Sequence, residues 1–321
     1  MALYRILAKA LVAVLVCIPA RVYAHEPAAA LPGFDLDTPP GKLVDIGGYR
    51  LQLYCRGSGS PTVVFDAGLG GFSMDWLFVQ QELPGDFRSC SYDRAGYGWS
   101  DAGPAPRATD QISAELERLL SAAAIAPPYI LVGHSFGAFN VEYFAATHPD
   151  AVAGLVLVEA SHPDQAERLP DLPARTAQSS RGTLVTFFDP AILYRSFPER
   201  LWHVMGALLV SPKAIATQQR ELVNFNVSAA QVKSAGALPH VPLVVISRGQ
   251  RAWPRTPLGN ALEKAWFEMQ AEIAASVPGG RHVFAAHSGH QVNLDEPDIV
   301  AREIDAMVGR VRGRHVVPAA R

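Results

Sequence analysis

The sequence predicts an α/β protein in which helices flank a mostly parallel sheet and a helical cap is inserted between two strands. Strand-like segments alternate with helical ones after an opening hairpin, which is typical of a parallel sheet. Residues 161–238 interrupt that alternation with a helical pattern broken by prolines. The 321 residues are 49% hydrophobic and 18% charged, a composition that supports a large core and argues against disorder.

The elements follow one another in a regular order. Alternating residues on both sides of Gly47 and Gly48 predict a hairpin of two short strands. The apolar segment 61–65 predicts a buried strand that ends in a glycine-rich turn. Further strands are predicted over residues 87–92, 129–132, 153–158, 241–246 and 282–285. Helices are predicted over residues 109–124, 136–148 and 297–308.

The chain divides into a core and an insertion. We predict a core over residues 42–160 and 239–312, a helical cap over 161–238, a linker over 25–41 and a tail over 313–321. Open α/β sheets bind ligands at the carboxyl ends of their strands, so a cap inserted there would cover the site. The cap contains large aromatic side chains that either line a substrate pocket or belong to an ordinary core: Phe187, Phe188, Tyr194, Phe197 and Trp202.

The N-terminus has the features of an export signal. Arg5 and Lys9 precede a short apolar run over residues 11–20, and small residues at a cleavage position end at Ala24. We therefore predict a cleaved signal peptide over residues 1–24, a periplasmic or secreted protein, and no stable membrane span after cleavage. A retained N-terminal anchor is the alternative.

The segment Gly133-His134-Ser135-Phe136-Gly137 lies between a predicted strand and a predicted helix. It matches G-x-S-x-G, a motif in which a strained serine projects from a strand-to-helix turn so tight that glycines must flank it. In this context the motif predicts that Ser135 is a nucleophile.

Three further motifs accompany the serine motif: Ala67-Gly68-Leu69-Gly70, the run Asp93-Arg94-x-Gly-Tyr-Gly, and Ser288-Gly289-His290. With them, the chain resembles the α/β-hydrolase superfamily over residues 42–310. The resemblance implies the α/β-hydrolase fold, a serine hydrolase mechanism through an acyl-enzyme, and no cofactor. It also implies that Asp93 and Arg94 shape the loop beside the active site rather than take part in the chemistry.

The resemblance assigns two backbone N–H groups to an oxyanion hole. One belongs to Phe136, the residue after the nucleophile. The other comes from the loop after the 61–65 strand, where the family usually has His-Gly before the donor and this chain has Ala67 and Gly68. Leu69 is therefore the predicted second donor, a role that requires no particular side chain.

The predicted base is His290, because the family places its histidine on the loop after the last strand. His287 on the same loop is the alternative, and His282 at the start of the strand is interpreted as structural. The spacing of His287 and His290 could suit a metal ion, but no third ligand cluster accompanies them, so no metal is expected.

The acid departs from the commoner family pattern. Most relatives carry an aspartate just after the strand that is here 241–246, yet residues 247–251 contain no carboxylate. Some members carry the acid after the preceding strand, where Glu159 follows residues 153–158. Glu159 is therefore the predicted acid, which would accept the Nδ1–H of the base, and Asp164 is the reserve.

Cys55 and Cys90 are the two cysteines outside the predicted signal peptide. The family topology places their strands side by side, and an oxidising compartment permits a disulfide between them. The alternative is a pair of buried free thiols.

Together these features predict a serine hydrolase that cleaves a small or medium hydrophobic carboxylic ester through a Ser-His-Glu triad. One alternative keeps the triad and cleaves an amide, as in an amidase or aminopeptidase of the proline-iminopeptidase kind. Three cap residues are candidates for holding the amine of such a substrate: Glu167, Asp171 and Glu199. Another alternative is a non-catalytic ligand-binding protein on the same fold. A small-molecule ester or amide is the expected partner, since a net charge of −2 without a basic stripe argues against nucleic acid.

Overall fold

The computed structural model describes residues 34–169 and 197–313. The strands of this part are β1 (Lys42–Asp45), β2 (Arg50–Arg56), β3 (Thr62–Asp66), β4 (Ser89–Tyr92), β5 (Tyr129–His134), β6 (Val152–Val158), β7 (Leu243–Arg248) and β8 (Arg281–Ala285). They form an eight-stranded sheet in the order β1-β2-β4-β3-β5-β6-β7-β8. The β1–β2 and β2–β4 pairs are antiparallel and all other neighbouring pairs are parallel. The predicted mostly parallel sheet is therefore confirmed.

Helices flank this sheet. In the described residues they are α1 (Leu77–Glu82), α2 (Thr109–Ala122), α3 (Phe136–Thr147), α4 (Gln165–Arg168), α5 (Glu199–Leu209), α6 (Pro212–Val223), α7 (Phe225–Ala235), α8 (Pro257–Ala275), α9 (Val292–Asp295) and α10 (Pro297–Val311). Helices α4 to α7 fall in the segment predicted as a cap. Within the described ranges, no helix has the length and apolar character needed to cross a membrane.

Strands β5 and β7 extend two residues further at their carboxyl ends than their apolar patterns predict. Strand β5 continues to His134, which pairs with Val158, and β7 continues to Arg248, which pairs with Ala285. The backbone ladder is indifferent to side-chain polarity, so a pattern of apolar residues ends before the strand does. The extra residues lie at the carboxyl ends of the strands, where polar side chains collect.

Apolar layers cover both faces of the sheet. Leu131 of β5 belongs to the cluster on one face, and its neighbours Ile130 and Val132 belong to the cluster on the other, as the alternation of a strand requires. Leu116 of α2 completes the first cluster and Ile304 of α10 the second. Burial on both faces explains why the central strands appear as continuous apolar runs rather than alternating ones.

The described part of the predicted cap packs on loops at the carboxyl edge of the sheet. Leu201 and Met205 of α5 share an apolar cluster with Phe72 and Tyr97 of the core. Phe197 is in the same cluster, whereas Trp202 is 43% exposed. The remaining predicted cap aromatics and the predicted signal peptide lie outside the described residues: Phe187, Phe188, Tyr194 and residues 1–24.

Both ends of the described core are anchored. Near the N-terminal end, the Phe34 ring packs edge-on against Trp99, with ring centroids 5.5 Å apart. The Trp99 indole N–H donates to the Asp35 carbonyl oxygen at 2.9 Å. At the other end, the Arg312 guanidinium donates to Asp86 at 2.7 Å. Residues 34–41 of the predicted linker are thus held against the core.

Cys55 and Cys90 lie opposite each other in the β2–β4 pair and form a disulfide. The bond joins two edge-proximal strands across 35 positions of sequence. Closing a loop of that length stabilises a fold by roughly 3–4 kcal/mol in the chain-entropy model.

Candidate active site

Ser135 lies in the turn that joins β5 to α3, at the carboxyl edge of the sheet. Its backbone angles are φ 52° and ψ −117°, a combination that costs a non-glycine residue conformational energy. A Cβ at Gly137 would lie 2.4 Å from the carbonyl oxygen of Asp66, so only glycine lets α3 approach β3 this closely. This is the geometry expected of a nucleophile elbow.

Backbone strain is concentrated at two of the predicted site residues. Within the described chain, the non-glycine residues with positive φ are Ala124, Ser135 and Glu159. Such conformations cost of the order of 1–3 kcal/mol each and persist where the surrounding structure holds them. Their occurrence at the predicted nucleophile and the predicted acid supports a functional role for this edge of the sheet.

The elbow is bonded to the loop that follows β6. The Ser135 N–H donates to the Val158 carbonyl at 3.0 Å, and the Ser161 N–H donates to the Ser135 carbonyl at 3.1 Å. Glu159 lies between these two contacts. The loop after β3 approaches from another side, since a Cβ at Gly68 would lie 3.4 Å from the Ser135 Cβ.

His290, on the loop after β8, contacts Glu159. The distance from His290 Nδ1 to Glu159 Oε2 is 3.2 Å, across a sequence separation of 131 residues. Glu159 is buried, and the His290 side chain is 10% exposed. A carboxylate bonded to Nδ1 selects the tautomer that leaves Nε2 as the proton acceptor. The structure therefore brings together the predicted acid and the predicted base.

Three other donors converge on the Glu159 carboxylate. The Arg248 backbone N–H donates to Oε1 at 2.9 Å, its guanidinium donates to Oε2 at 2.7 Å, and the Trp266 indole N–H lies 3.2 Å from Oε1. Burial alone would raise the pKa of Glu159. The Arg248 charge, together with the hydrogen bond and charge of His290, outweighs burial and lowers the pKa of Glu159 to about 2. Glu159 is thus ionised throughout the neutral pH range.

Arg248 is itself buried among partners. Its guanidinium also donates to Glu263 on α8 at 3.0 Å, so one cation lies between two buried carboxylates. Three rings surround it, with centroids 5.2 to 5.3 Å from Cζ: Trp253, Trp266 and Phe267. Arg248, Glu159 and Glu263 together carry one net negative charge. On the side of this cluster that faces Ser135, His290 contacts the Glu159 carboxylate.

His134, next to the predicted nucleophile, holds the loop that carries His290. Its Nε2 donates to the His290 carbonyl oxygen at 2.9 Å, and the two ring centroids are 4.9 Å apart. Burial, and then the charge of His290, lower the pKa of His134 to about 3. His134 is therefore a neutral donor that positions His290, not a second base.

The two residues predicted to donate to an oxyanion lie in one apolar cluster. Leu69, Phe136 and Phe139 pack there with Ala229 of cap helix α7. Phe136 is the first residue of α3, so its N–H has no acceptor within the helix. The cluster brings the loop after β3, the start of α3 and the cap to the same place.

The residues weighed as alternatives lie in other environments. His287 is exposed, and its N–H donates to Glu296. Asp164 pairs with Lys233 of α7, and His282 bonds Ser247 through Nε2 at 2.8 Å. The part of the chain that the structure describes contains no group of three or more His, Cys, Asp or Glu side chains that could hold a metal ion.

Comparison with known proteins agrees with this geometry. Residues 61–189 match the family model described as the alpha/beta hydrolase fold. The chain is 29% identical over 246 residues to the uncharacterized protein YqjL of Bacillus subtilis, covering 76% of this chain and 82% of that protein. Together with the eight-stranded sheet, these matches confirm the predicted resemblance to the α/β-hydrolase superfamily. That resemblance supports a hydrolytic activity.

Two solved α/β-hydrolase structures illustrate the likeness. A thermophilic esterase from Thermogutta terrifontis has a TM-score of 0.59 at 20% identity, covering 82% of this chain and 94% of that one. An enol-lactonase from Burkholderia xenovorans LB400 has a TM-score of 0.58 at 21% identity, covering 81% of this chain and 96% of that one. At these identities the likeness establishes the fold.

Sequence patterns missed three residues that the structure places around the predicted acid and base: His134, Arg248 and Trp266. The sequence contains a signal for Arg248, because the segment 247–251, which has no carboxylate, places this cation just after the apolar part of the strand. His134 lies inside the G-x-S-x-G motif, where its residue type is free to vary. Trp266 is within α8, and no local pattern indicates its contact with Glu159.

Proposed function

We propose that this protein is a serine hydrolase of small or medium hydrophobic carboxylic esters, with Ser135 as nucleophile, His290 as base and Glu159 as acid. The observation that carries the proposal is the 3.2 Å contact between His290 Nδ1 and Glu159 Oε2 beside the strained Ser135. An ionised carboxylate in this position orients the imidazole and stabilises the imidazolium that forms during attack.

The proposed reaction has two halves. As Ser135 Oγ attacks the ester carbon, His290 Nε2 takes its proton, and the N–H groups of Leu69 and Phe136 stabilise the oxyanion. The tetrahedral intermediate collapses, His290 returns the proton to the departing alkoxide, and the acyl group remains on Ser135. A water molecule, deprotonated by His290, then attacks the acyl-enzyme, and the acid product and free Ser135 are released. The reaction requires no cofactor.

Apolar walls and the named structural relatives support an ester substrate. Phe136 and Phe139 of α3 meet Leu222 and Phe225 of the cap close to the elbow, and the last two are only partly buried. Such a surface suits a hydrophobic acyl or alcohol group. The relatives named above are an esterase and an enol-lactonase, and a lactone is a cyclic ester.

The acidic residues considered for an aminopeptidase do not favour that alternative. The Glu167 side chain is 78% exposed and lies near Lys233, and Glu199 is exposed at the start of α5. Exposed carboxylates bind an amine weakly because water screens them. Asp171 lies outside the described residues. A non-catalytic binding protein would have no need for the strain at Ser135 and Glu159.

We also propose that the mature protein is periplasmic or secreted after cleavage behind Ala24. The Cys55–Cys90 disulfide supports this, because disulfides persist in oxidising compartments. N-terminal sequencing of protein recovered from a periplasmic extract should begin at His25. An intact Met1 end on protein confined to the cytoplasm would contradict export.

The test of the activity is a set of initial rates on p-nitrophenyl esters from acetate to palmitate. Ser135→Ala should abolish turnover, and Ser121→Ala, which alters an exposed serine at the end of α2, should retain it. The acyl-chain length that is hydrolysed fastest would indicate the length of the acyl pocket. If folded wild-type protein hydrolyses none of these esters, the ester proposal is wrong and amide substrates are next to be tested.

A further inference from the structure

Arg94 is a fully buried cation that holds the loop carrying the predicted oxyanion donor. Its Nη1 donates to the carbonyl oxygen of Ala67 at 2.5 Å, and its Nη2 donates to the carbonyl oxygen of Gly68 at 2.8 Å. Its side chain is 1% exposed. Arg94 therefore cannot meet substrate, and its donors are directed at successive peptide groups of the loop after β3.

The bond to Gly68 determines where the Leu69 N–H points. The Gly68 carbonyl and the Leu69 N–H belong to one planar trans peptide, so they point in opposite directions. Arg94 and the Gly71 N–H, which also donates to the Gly68 carbonyl oxygen at 3.1 Å, therefore fix the direction of the Leu69 N–H together. This peptide lies beside the predicted nucleophile, since a Cβ at Gly68 would lie 3.4 Å from the Ser135 Cβ. A charged donor also polarises the peptide group and strengthens its N–H as a donor.

A cap residue holds Arg94 in turn. Glu221 of α6 accepts from Arg94 Nε at 3.0 Å and from Nη2 at 3.0 Å, a two-point contact with both side chains buried. The Tyr97 hydroxyl donates to Glu221 at 2.8 Å and accepts from the Gly70 N–H at 3.3 Å. The same network thus holds a second point of the loop. Hydrogen bonds through Arg94 and Tyr97 therefore connect Glu221 of α6 to the loop after β3.

The network also contacts the other predicted donor. Arg94 Cζ lies 5.6 Å from the Phe136 ring centroid and 5.2 Å from that of Tyr97. Asp66, at the end of β3, accepts from Arg94 Nη1 at 2.7 Å. Arg94 is thus bonded to the strand end, the loop and the cap at once. A guanidinium suits this place because its donors diverge in one plane and it does not lose its charge.

We propose that Arg94 and Glu221 are positioning residues of the oxyanion hole, through which the cap helix α6 holds the Leu69 N–H in its catalytic direction. The effect on catalysis rests on the proposed function. The hydrogen-bonded network that joins Glu221, Arg94 and the loop after β3, here called the clamp, does not depend on that function. It makes α6 part of the machinery for stabilising the transition state, beyond any role in enclosing substrate. The geometry was not apparent from the sequence, since Glu221 is 127 positions from Arg94.

The test variant is Glu221→Gln, which keeps the shape and removes the charge that holds Arg94. The matched control is Arg220→Gln, a charge-removing change at the exposed neighbour on the same helix. Rates are expressed per active site titrated with a fluorophosphonate, so that unfolded protein is not counted. Affinity for an alkyl trifluoromethyl ketone, whose adduct with Ser135 carries an oxyanion, is measured beside KM. Hydrogen exchange of peptides covering residues 66–76 reports the loop directly.

For Glu221→Gln we expect kcat to fall about tenfold or more, which is less than the loss of a whole oxyanion donor. KM should stay within about threefold, the trifluoromethyl ketone should bind more weakly in the same proportion as kcat, and residues 66–76 should exchange faster. Arg220→Gln should match wild type in every readout. Arg94→Lys should resemble Glu221→Gln, because an ammonium cannot reach both carbonyls and Glu221 in one plane.

Unchanged kcat, ketone affinity and exchange in a folded Glu221→Gln variant would overturn the proposal. Faster loop exchange with unchanged kcat and ketone affinity would also overturn it, leaving a purely structural network. If wild type itself turns over no ester, the proposed function fails separately. The exchange comparison then decides whether the clamp exists, and equal exchange in both variants would refute it.

Discussion

Arg248 holds Glu159 from two directions, through its backbone N–H to Oε1 at 2.9 Å and its guanidinium to Oε2 at 2.7 Å. Arg248 ends β7, the strand after which most α/β-hydrolases carry their catalytic acid. In this chain the carboxylate comes from the neighbouring strand end, and the usual acid position supplies a cation that keeps the carboxylate ionised. The rearrangement preserves a negative group behind His290 while changing which strand provides it.

Replacing the acid discriminates Glu159 from its reserve. Glu159→Gln should lower kcat by about 10⁴, because the neutral amide no longer stabilises the imidazolium and can hold the wrong tautomer. Asp164→Asn should retain wild-type kcat, since Asp164 is paired with Lys233 away from this contact. Steady-state kinetics on the best ester checks both. A Glu159→Gln variant that kept more than about a tenth of wild-type kcat would remove Glu159 from the mechanism.

The Arg248 charge predicts the shape of the pH profile. With the pKa of Glu159 at about 2, protonation of Glu159 should cause no loss of wild-type kcat/KM above about pH 4. In Arg248→Gln the burial of Glu159 is no longer offset by this charge, so the pKa of Glu159 rises and kcat/KM should begin to fall at a higher pH than in wild type. Arg248→Lys should restore the wild-type profile, and Arg251→Gln, at an exposed position, should leave the profile unchanged. Superimposable profiles for wild type and Arg248→Gln would contradict this role.

His134 is expected to contribute through the His290 backbone. His134→Phe keeps a ring in the buried site and removes the donor to the His290 carbonyl. Loss of one such bond corresponds to roughly 0.5–1.5 kcal/mol, so kcat should fall about two- to thirteenfold with KM little changed. The dependence of kcat/KM on pH should change little, because His134 is neutral above its pKa of about 3 and so contributes no titration near neutral pH. An unaltered kcat in the folded variant would argue that the loop is held by other contacts.

Glu142 predicts how stability varies with pH. It is buried in α3 with one carboxyl oxygen lacking a partner, and burial raises the pKa of Glu142 from 4.5 to about 8. Between these values the folded state keeps a proton that the unfolded state has released, so stability falls as pH rises through that window. The slope is at most about 1.4 kcal/mol per pH unit.

Glu142→Gln should remove this dependence and raise Tm at pH 8 more than at pH 5. Glu82→Gln, at an exposed position at the end of α1, should behave as wild type. The comparison is made against wild type because Asp75, whose pKa burial raises to about 7, adds a slope of the same sign. Equal shifts of Tm at both pH values would show that Glu142 is ionised in the folded protein.

The features of the fold and the site that the sequence predicts are those determined by residues close together along the chain. Periodicity located the strands, and the tight turn around Ser135 required glycine at fixed positions. The choice of Glu159 came from an absence, since no carboxylate follows β7. The contacts of Arg94 with Glu221 and of Trp266 with Glu159 join residues more than 100 positions apart. No local pattern encodes such contacts, because they depend on how the cap and α8 pack on the finished sheet.

The most direct test of the central claim is stoichiometric labelling with an alkyl fluorophosphonate, followed by intact mass and peptide mapping. We predict one phosphonyl group per chain, located on the peptide that contains Ser135, with esterase activity lost in proportion to the label. Ser135→Ala should take up none. Active protein that remains unlabelled, or a label on a residue other than Ser135, would contradict the assignment of Ser135 as the nucleophile.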